Sequence, residues 1–215
     1  MGDNVIHIWI TRQPGELKKD RFDELAARMP EALQKELYTY KRWQDAQASL
    51  AGKLLLQQAI LEMDLPFSIH NIQMQHKDRP FIDVSFDFNI SHSGNYIVLA
   101  LSRENKVGID IEKHRPLDVE LFRKYFNEAE WEQIITAQDP LPVFFRFWTI
   151  KEAAIKCDGR GVEVLGKTKT MDDKTISCDE TILHYSLIDI KPDYSCAVCS
   201  QKEIGKIISK DVELF

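Results

Sequence analysis

The sequence predicts an α+β chain built as two halves of loosely similar plan, the second beginning near residues 107–112. Three observations predict it. Each half contains one long stretch of helical apolar spacing, residues 45–63 in the first and 144–156 in the second. Each of these precedes a pair of strand-like runs, 88–92 with 95–101 and 181–190 with 194–199. The length of 215 residues suits one large domain or two small, tightly packed ones.

The elements follow in order. Residues 5–10 (Val, Ile, His, Ile, Trp, Ile) have strand composition and open the fold. Residues 20–38 are helical in spacing and interrupted by Pro30. In 45–63 the apolar set is Ala46, Leu50, Leu54, Ile60 and Leu61, and Pro66 closes the region. Strands 88–92 and 95–101 are joined by a turn at Ser93-Gly94, and 107–112 is a further strand. In the second half, 119–137 reads as one helix burying Leu121, Phe122, Tyr125, Phe126 and Ile134. The helix 144–156 ends at Asp158-Gly159-Arg160-Gly161, where glycine supplies the left-handed residue of a C-cap.

The composition is 44% hydrophobic and 29% charged, with a formal net charge of −6. An acidic chain is a poor non-specific binder of nucleic acid or anionic membrane, so neither is expected as a partner. An anionic ligand would need a local basic cluster. No apolar run approaches the length of a membrane span. The first residues lack a cationic stretch followed by an apolar one, and Gly2 lacks the Ser or Thr that myristoylation wants at Ile6. A cytoplasmic protein is the expectation. Of the four cysteines, Cys196 and Cys199 form a lone C-x-x-C on a strand, where the two side chains point to opposite faces. A structural role for them is expected rather than a zinc site.

Three segments carry chemistry. In Val107-Gly108-Ile109-Asp110-Ile111-Glu112, Val107, Ile109 and Ile111 face a core, and Gly108, Asp110 and Glu112 face the other side. Two carboxylates held side by side suit a hard divalent cation such as Mg²⁺, although a solvated strand face would read the same way. Gly108 points to the close approach of another backbone or of a ligand. In the apolar helix Trp148-Thr149-Ile150-Lys151-Glu152-Ala153-Ala154-Ile155-Lys156, Glu152 and Lys156 share a face. An exposed ion pair is one reading. A third cation ligand with a lysine beside the phosphates is the other. In Phe88-Asn89-Ile90-Ser91-His92-Ser93-Gly94, hydroxyls, an imidazole and turn N–H groups are all able to donate to phosphate, and a plain hairpin turn is the alternative.

In this order and spacing, the three segments resemble those of the Sfp-type 4′-phosphopantetheinyl transferases, with Arg79-Pro80-Phe81-Ile82 as a weaker fourth match. The resemblance implies two similar α/β lobes, 1–104 and 105–215, related by a pseudo-twofold axis, with coenzyme A between them. It implies a monomer that moves the 4′-phosphopantetheine arm of coenzyme A onto a serine of an acyl- or peptidyl-carrier protein. It implies Asp110, Glu112 and Glu152 as Mg²⁺ ligands. Arg79, Pro80, Ser91, His92, Asp110, Lys151 and Lys156 are implied around coenzyme A. Glu130 is implied as the general base, and Glu152 and Lys156 as further catalytic groups. The family's arginine for the 3′-phosphate falls at Ala48, with Lys35, Lys41, Arg42 and Lys53 as nearby substitutes. Leu117, Leu121, Phe122, Arg123 and Lys124 are candidates for carrier docking. Another Mg²⁺-dependent phosphotransferase or pyrophosphate hydrolase, or a non-catalytic coenzyme A-binding module, remains as an alternative.

Overall fold

The computed structural model describes residues 4–13, 15–74, 80–83, 86–103 and 105–215. Strand β1 (Val5–Arg12) leads into α1 (Lys19–Ala26) and α2 (Glu31–Leu37), which are separated where Pro30 caps α2. The long helix α3 (Trp43–Glu62) buries Ala46, Leu50, Leu54 and Ile60. Leu61, expected in that set, is exposed, because each successive residue turns about 100° around the helix and Ile60 already faces the core. A two-stranded ribbon of β2 (Gln73–Met74) and β3 (Pro80–Phe81) precedes the hairpin of β4 (Asp87–Ser93) and β5 (Tyr96–Ser102).

The second half starts with β6 (Val107–Lys113). A 3-10 helix (Val119–Tyr125) and α4 (Glu128–Thr136) stand where a single helix was expected. The reason is Asn127. Its side chain accepts from the Glu130 N–H at 2.9 Å, while the Glu130 carboxylate accepts from the Asn127 N–H at 2.9 Å, and this capping box starts a new helix. Leu121 is consequently exposed rather than buried. Helix α5 (Pro140–Asp158) begins earlier than its apolar run, with Asp139 as cap and proline in its first turn, and stops at Gly159 with φ +87°. A second 3-10 helix (Gly161–Lys167) leads to β7 (Thr168–Thr170), β8 (Thr175–Cys178), β9 (Thr181–Leu187), β10 (Tyr194–Ser200) and β11 (Lys206–Val212).

One sheet has the order β11-β1-β5-β4 and the other β6-β10-β9-β8-β7. The shared plan is visible in them. In each half the first strand pairs antiparallel with the last strand of a following hairpin, β1 with β5 and β6 with β10. Strand β11 pairs parallel with β1, so residues 206–212 complete the sheet of the first half.

The sheets face each other across a layer of Ile6, Ile8, Ile10, Val98 and Ala100 from one and Val107, Ile109, Ile111, Cys196 and Val198 from the other. Helix α3 covers the outer face of the first sheet, and α5 covers that of the second. Cys196 belongs to the middle layer and Cys199 to the layer under α5, on opposite faces as alternation requires. All four cysteines are buried and free. Among the described residues, no helix is long and apolar enough to cross a membrane.

Gly108 marks a close approach, and the approaching group is helix α5. A Cβ there would lie 2.1 Å from the Ala153 carbonyl oxygen and 2.4 Å from the Cys157 nitrogen. Backbone cannot yield as a side chain can. Gly108→Ala should cost about 3 kcal/mol or more and lower Tm by roughly 6–12 °C, read by calorimetry.

Strand β11 is tied down at Glu62. The carboxylate accepts from Trp9 Nε1 at 2.8 Å and from Gln58 at 2.8 Å, and it is ion-paired with Lys210. Burial pushes its pKa up, but Lys210, Trp9 and Gln58 outweigh this and hold it down to about 2. A depressed carboxyl adds stability above its unfolded pKa, near 4.5, and loses it as pH falls toward about 2. Tm should therefore fall across that window, and Glu62→Gln should flatten this part of the acid limb.

Candidate active site

The site forms where β6 meets α5. The alternation of β6 turns Asp110 away from the middle layer and toward α5, and close packing at Gly108 brings that helix near. On α5, Glu152 and Lys156 are one turn apart and share the face that reaches β6. Lys156 Nζ donates to Asp110 Oδ1 at 2.6 Å, to Ser91 Oγ at 3.1 Å and to the Ile109 carbonyl at 3.3 Å. Ser91 Oγ donates to the same Asp110 oxygen at 2.9 Å. Asp110 Oδ2 is buried and has no hydrogen-bond partner among the described residues. Glu112 accepts from Ser93 Oγ at 2.9 Å and from Arg115 at 3.1 Å.

Electrostatics tie the third carboxylate to these two. Burial first, then the charges of Asp110 and Glu112, push Glu152 up to about 6 against the pull of Lys156. Burial also raises Asp110, opposed by Lys156 and by the Ser91 hydroxyl. His92, on the opposite face of β4 from Ser91, is exposed. Crowding and Lys156 hold it below its usual pKa, while Asp45 in the first turn of α3 and Glu112 pull it up. The amino end of α3 thus borders the same cluster.

Among the described residues, no three His, Cys, Asp or Glu side chains stand at metal-ligating spacing. Lys156 and Ser91 both engage Asp110 Oδ1. The donor chemistry still fits a hard divalent cation. Asp110 offers a buried oxygen without a partner among the described residues, and the charges of Asp110 and Glu112 add to burial in raising Glu152.

Two expected site residues lie elsewhere. Lys151 is 0% exposed and Glu130 is 1% exposed, and they form an ion pair at 2.9 Å. Lys151 also donates to the Thr168 carbonyl at 2.6 Å, and its ammonium lies 5.5 Å from the centre of the Phe126 ring. Besides Lys151 and the Asn127 N–H, Glu130 accepts from the Thr170 N–H and hydroxyl at 2.8 Å each. The cause is helical geometry. Lys151 and Glu152 are neighbours about 100° apart, so when Glu152 faces β6, Lys151 is driven toward α4 and β7. A general base must reach its substrate, and a fully bonded, sealed carboxylate does not. Lys151 is likewise closed to a cofactor.

Other expectations divide. Ser91 is buried and spends its hydroxyl on Asp110. Pro80 begins β3, and Arg79 lies outside the described residues. Ala48 is buried in α3. Lys53 is held by Glu36 at 3.1 Å and Ser49 at 2.6 Å, Lys35 by Glu31 at 2.6 Å, and Arg42 lies 3.9 Å from Asp45. The part of Ser93 and Asn89 was missed. The available signal was the two-residue period Asp87, Asn89, Ser91, Ser93, which matches the period of Val107, Ile109, Ile111 and Lys113.

Comparison with known proteins identifies the family. Residues 106–208 match the model of the 4′-phosphopantetheinyl transferase superfamily. Residues 16–104 match a model described as 4′-phosphopantetheinyl transferase, N-terminal. The chain is 31% identical over 163 residues to 4′-phosphopantetheinyl transferase gsp of Aneurinibacillus migulanus, covering 74% of this chain and 68% of that protein. It is 26% identical over 208 residues to 4′-phosphopantetheinyl transferase Sfp of Bacillus subtilis (strain 168), covering 91% of each. It is 35% identical over 136 residues to the human L-aminoadipate-semialdehyde dehydrogenase-phosphopantetheinyl transferase, covering 55% of this chain and 44% of that protein. With a match to each half and relatives aligned across most of its length, the chain belongs to the 4′-phosphopantetheinyl transferase superfamily.

Proposed function

We propose that this enzyme transfers the 4′-phosphopantetheine arm of coenzyme A to a serine hydroxyl of an acyl- or peptidyl-carrier protein and releases 3′,5′-ADP. The observation that carries the proposal is the convergence of Asp110 and Glu112 from β6 with Glu152 and Lys156 from α5 at one partly open site.

Asp110, Glu112 and Glu152 would hold Mg²⁺, which when bound neutralises charge on the pyrophosphate of coenzyme A. The chain's own groups do the rest. Glu152, half-buried on the open side, accepts the proton of the incoming serine. The serine oxygen forms a bond to the phosphorus carrying the pantetheine arm. The bond from that phosphorus to the bridging pyrophosphate oxygen breaks, and its electron pair leaves with 3′,5′-ADP. Lys156 offsets the negative charge that develops there. His92, which feels the charge of Asp45 in the first turn of α3, would donate to a coenzyme A phosphate. No covalent intermediate on the enzyme is needed.

For the carrier, Leu121 is the strongest docking candidate, being 73% exposed on the 3-10 helix. Phe122 packs against Phe144 and Trp148, and Arg123 is engaged with Glu128 and the Phe126 carbonyl, which leaves them less free to dock.

The test is incubation with coenzyme A, Mg²⁺ and a panel of apo-carrier proteins, read by intact mass. Addition of one phosphopantetheine arm to a carrier serine is expected. Hydrolysis of coenzyme A with every carrier unmodified would favour a pyrophosphate hydrolase instead.

A further inference from the structure

Strands β4 and β6 lie side by side, yet among the described residues no backbone ladder joins their two sheets. Side chains of β4 make the connection instead. Asp87 Oδ2 accepts from the Val107 N–H at 2.8 Å, and Asn89 Oδ1 accepts from the Ile109 N–H at 2.9 Å. Ser91 Oγ accepts from the Ile111 N–H at 3.4 Å, and Ser93 Oγ accepts from the Lys113 N–H at 3.0 Å. Every second residue of one strand thus meets every second residue of the other, at a constant separation in sequence. This is the register of two parallel strands whose facing groups are side chain and backbone.

The last two rungs differ from the first two. Ser91 and Ser93 each accept from the N–H of one β6 residue and donate to the carboxylate of the residue before it, Asp110 at 2.9 Å and Glu112 at 2.9 Å. A serine hydroxyl has a single proton and two lone pairs. That of Ser91 is fully used, with its proton on Asp110 and its lone pairs on the Ile111 N–H and Lys156. Neither hydroxyl, bonded in this way, has a proton left for a phosphate.

We propose that Ser91 and Ser93 are positioning residues that fix one oxygen each of Asp110 and Glu112 and so present the carboxylate pair to the divalent cation, rather than binding substrate phosphate. The inference rests on the carboxylate reading of the site given above. Anchoring one oxygen of a carboxylate sets the direction of the other, and Asp110 Oδ2 has no hydrogen-bond partner among the described residues. The ladder continues through Asn89, so the register between the two sheets and the aim of the carboxylates have one cause.

The test is Mn²⁺ titration of the coenzyme A-free full chain, followed by electron paramagnetic resonance, alongside thermal melting. Ser93→Ala should weaken Mn²⁺ binding by about 10–100-fold, and Ser93→Thr, which keeps the hydroxyl, should restore it. Ser91→Ala should behave as Ser93→Ala does. Asn89→Ala removes a rung that touches no carboxylate. It should lower Tm while leaving Mn²⁺ affinity within a few-fold of wild type. Wild-type affinity in Ser93→Ala, or equal loss of affinity in Asn89→Ala and Ser93→Ala, would overturn the positioning role. A wild-type chain that takes up no Mn²⁺ would overturn the carboxylate reading and this inference together.

Discussion

Glu152→Gln should slow phosphopantetheine transfer by about 10²–10³-fold, the usual loss when one preorganised electrostatic group is removed from an active site. The fold should not suffer. Burial and the charges of Asp110 and Glu112 already disfavour the ionised form of Glu152, so a neutral amide relieves repulsion. Tm should hold or rise slightly. Lys156→Ala should lose activity to a similar extent but also lower Tm, because it removes the ammonium 2.6 Å from a buried aspartate. Conversion of an apo-carrier protein, followed by intact mass beside a melting curve, reads both effects. Full transfer activity in either variant would overturn the assigned roles.

Glu130→Ala should destabilise the protein by about 3–5 kcal/mol, because it leaves the Lys151 ammonium unpaired in the core. For a chain of this size that corresponds to roughly 6–20 °C in Tm. A double variant, Glu130→Leu with Lys151→Met, replaces both charges by apolar groups and should recover most of the loss. It also decides between two roles for Glu130. If the pair only braces α4, α5 and β7, the double variant regains transfer when assayed below its melting temperature. A double variant that is well folded but inactive would return Glu130 to the chemistry.

Legibility followed how local each cause was. The alternation in residues 107–112 told correctly that Val107, Ile109 and Ile111 enter the middle layer and that Asp110 and Glu112 face the other side of the strand. Helical spacing told that Glu152 and Lys156 share a face. Glycine 108 was legible as a close approach, but not as an approach by helix rather than ligand. The break at Asn127 was written in Asn127 and Glu130, a capping box hidden within a run of otherwise helical residues. The pairing of Glu130 was not legible, because its partner Lys151 lies on another helix and two further bonds come from Thr170 on β7. Strand β11 was missed because it is an edge strand, mostly exposed, with no clean alternation to announce it.

By itself, then, the sequence determined the main helices and strands and the faces of β6 and α5, since periods of two and of 3.6 residues are properties of the chain alone. Only the tertiary structure decided which of two adjacent residues on α5 enters the site and which is sealed away. It alone revealed that the polar side of β4 is a seam between sheets and not a face turned to water. The reason is physical: a polar side chain has the same chemistry whether it meets solvent or the N–H groups of a neighbouring strand, and only the position of that strand tells the two apart.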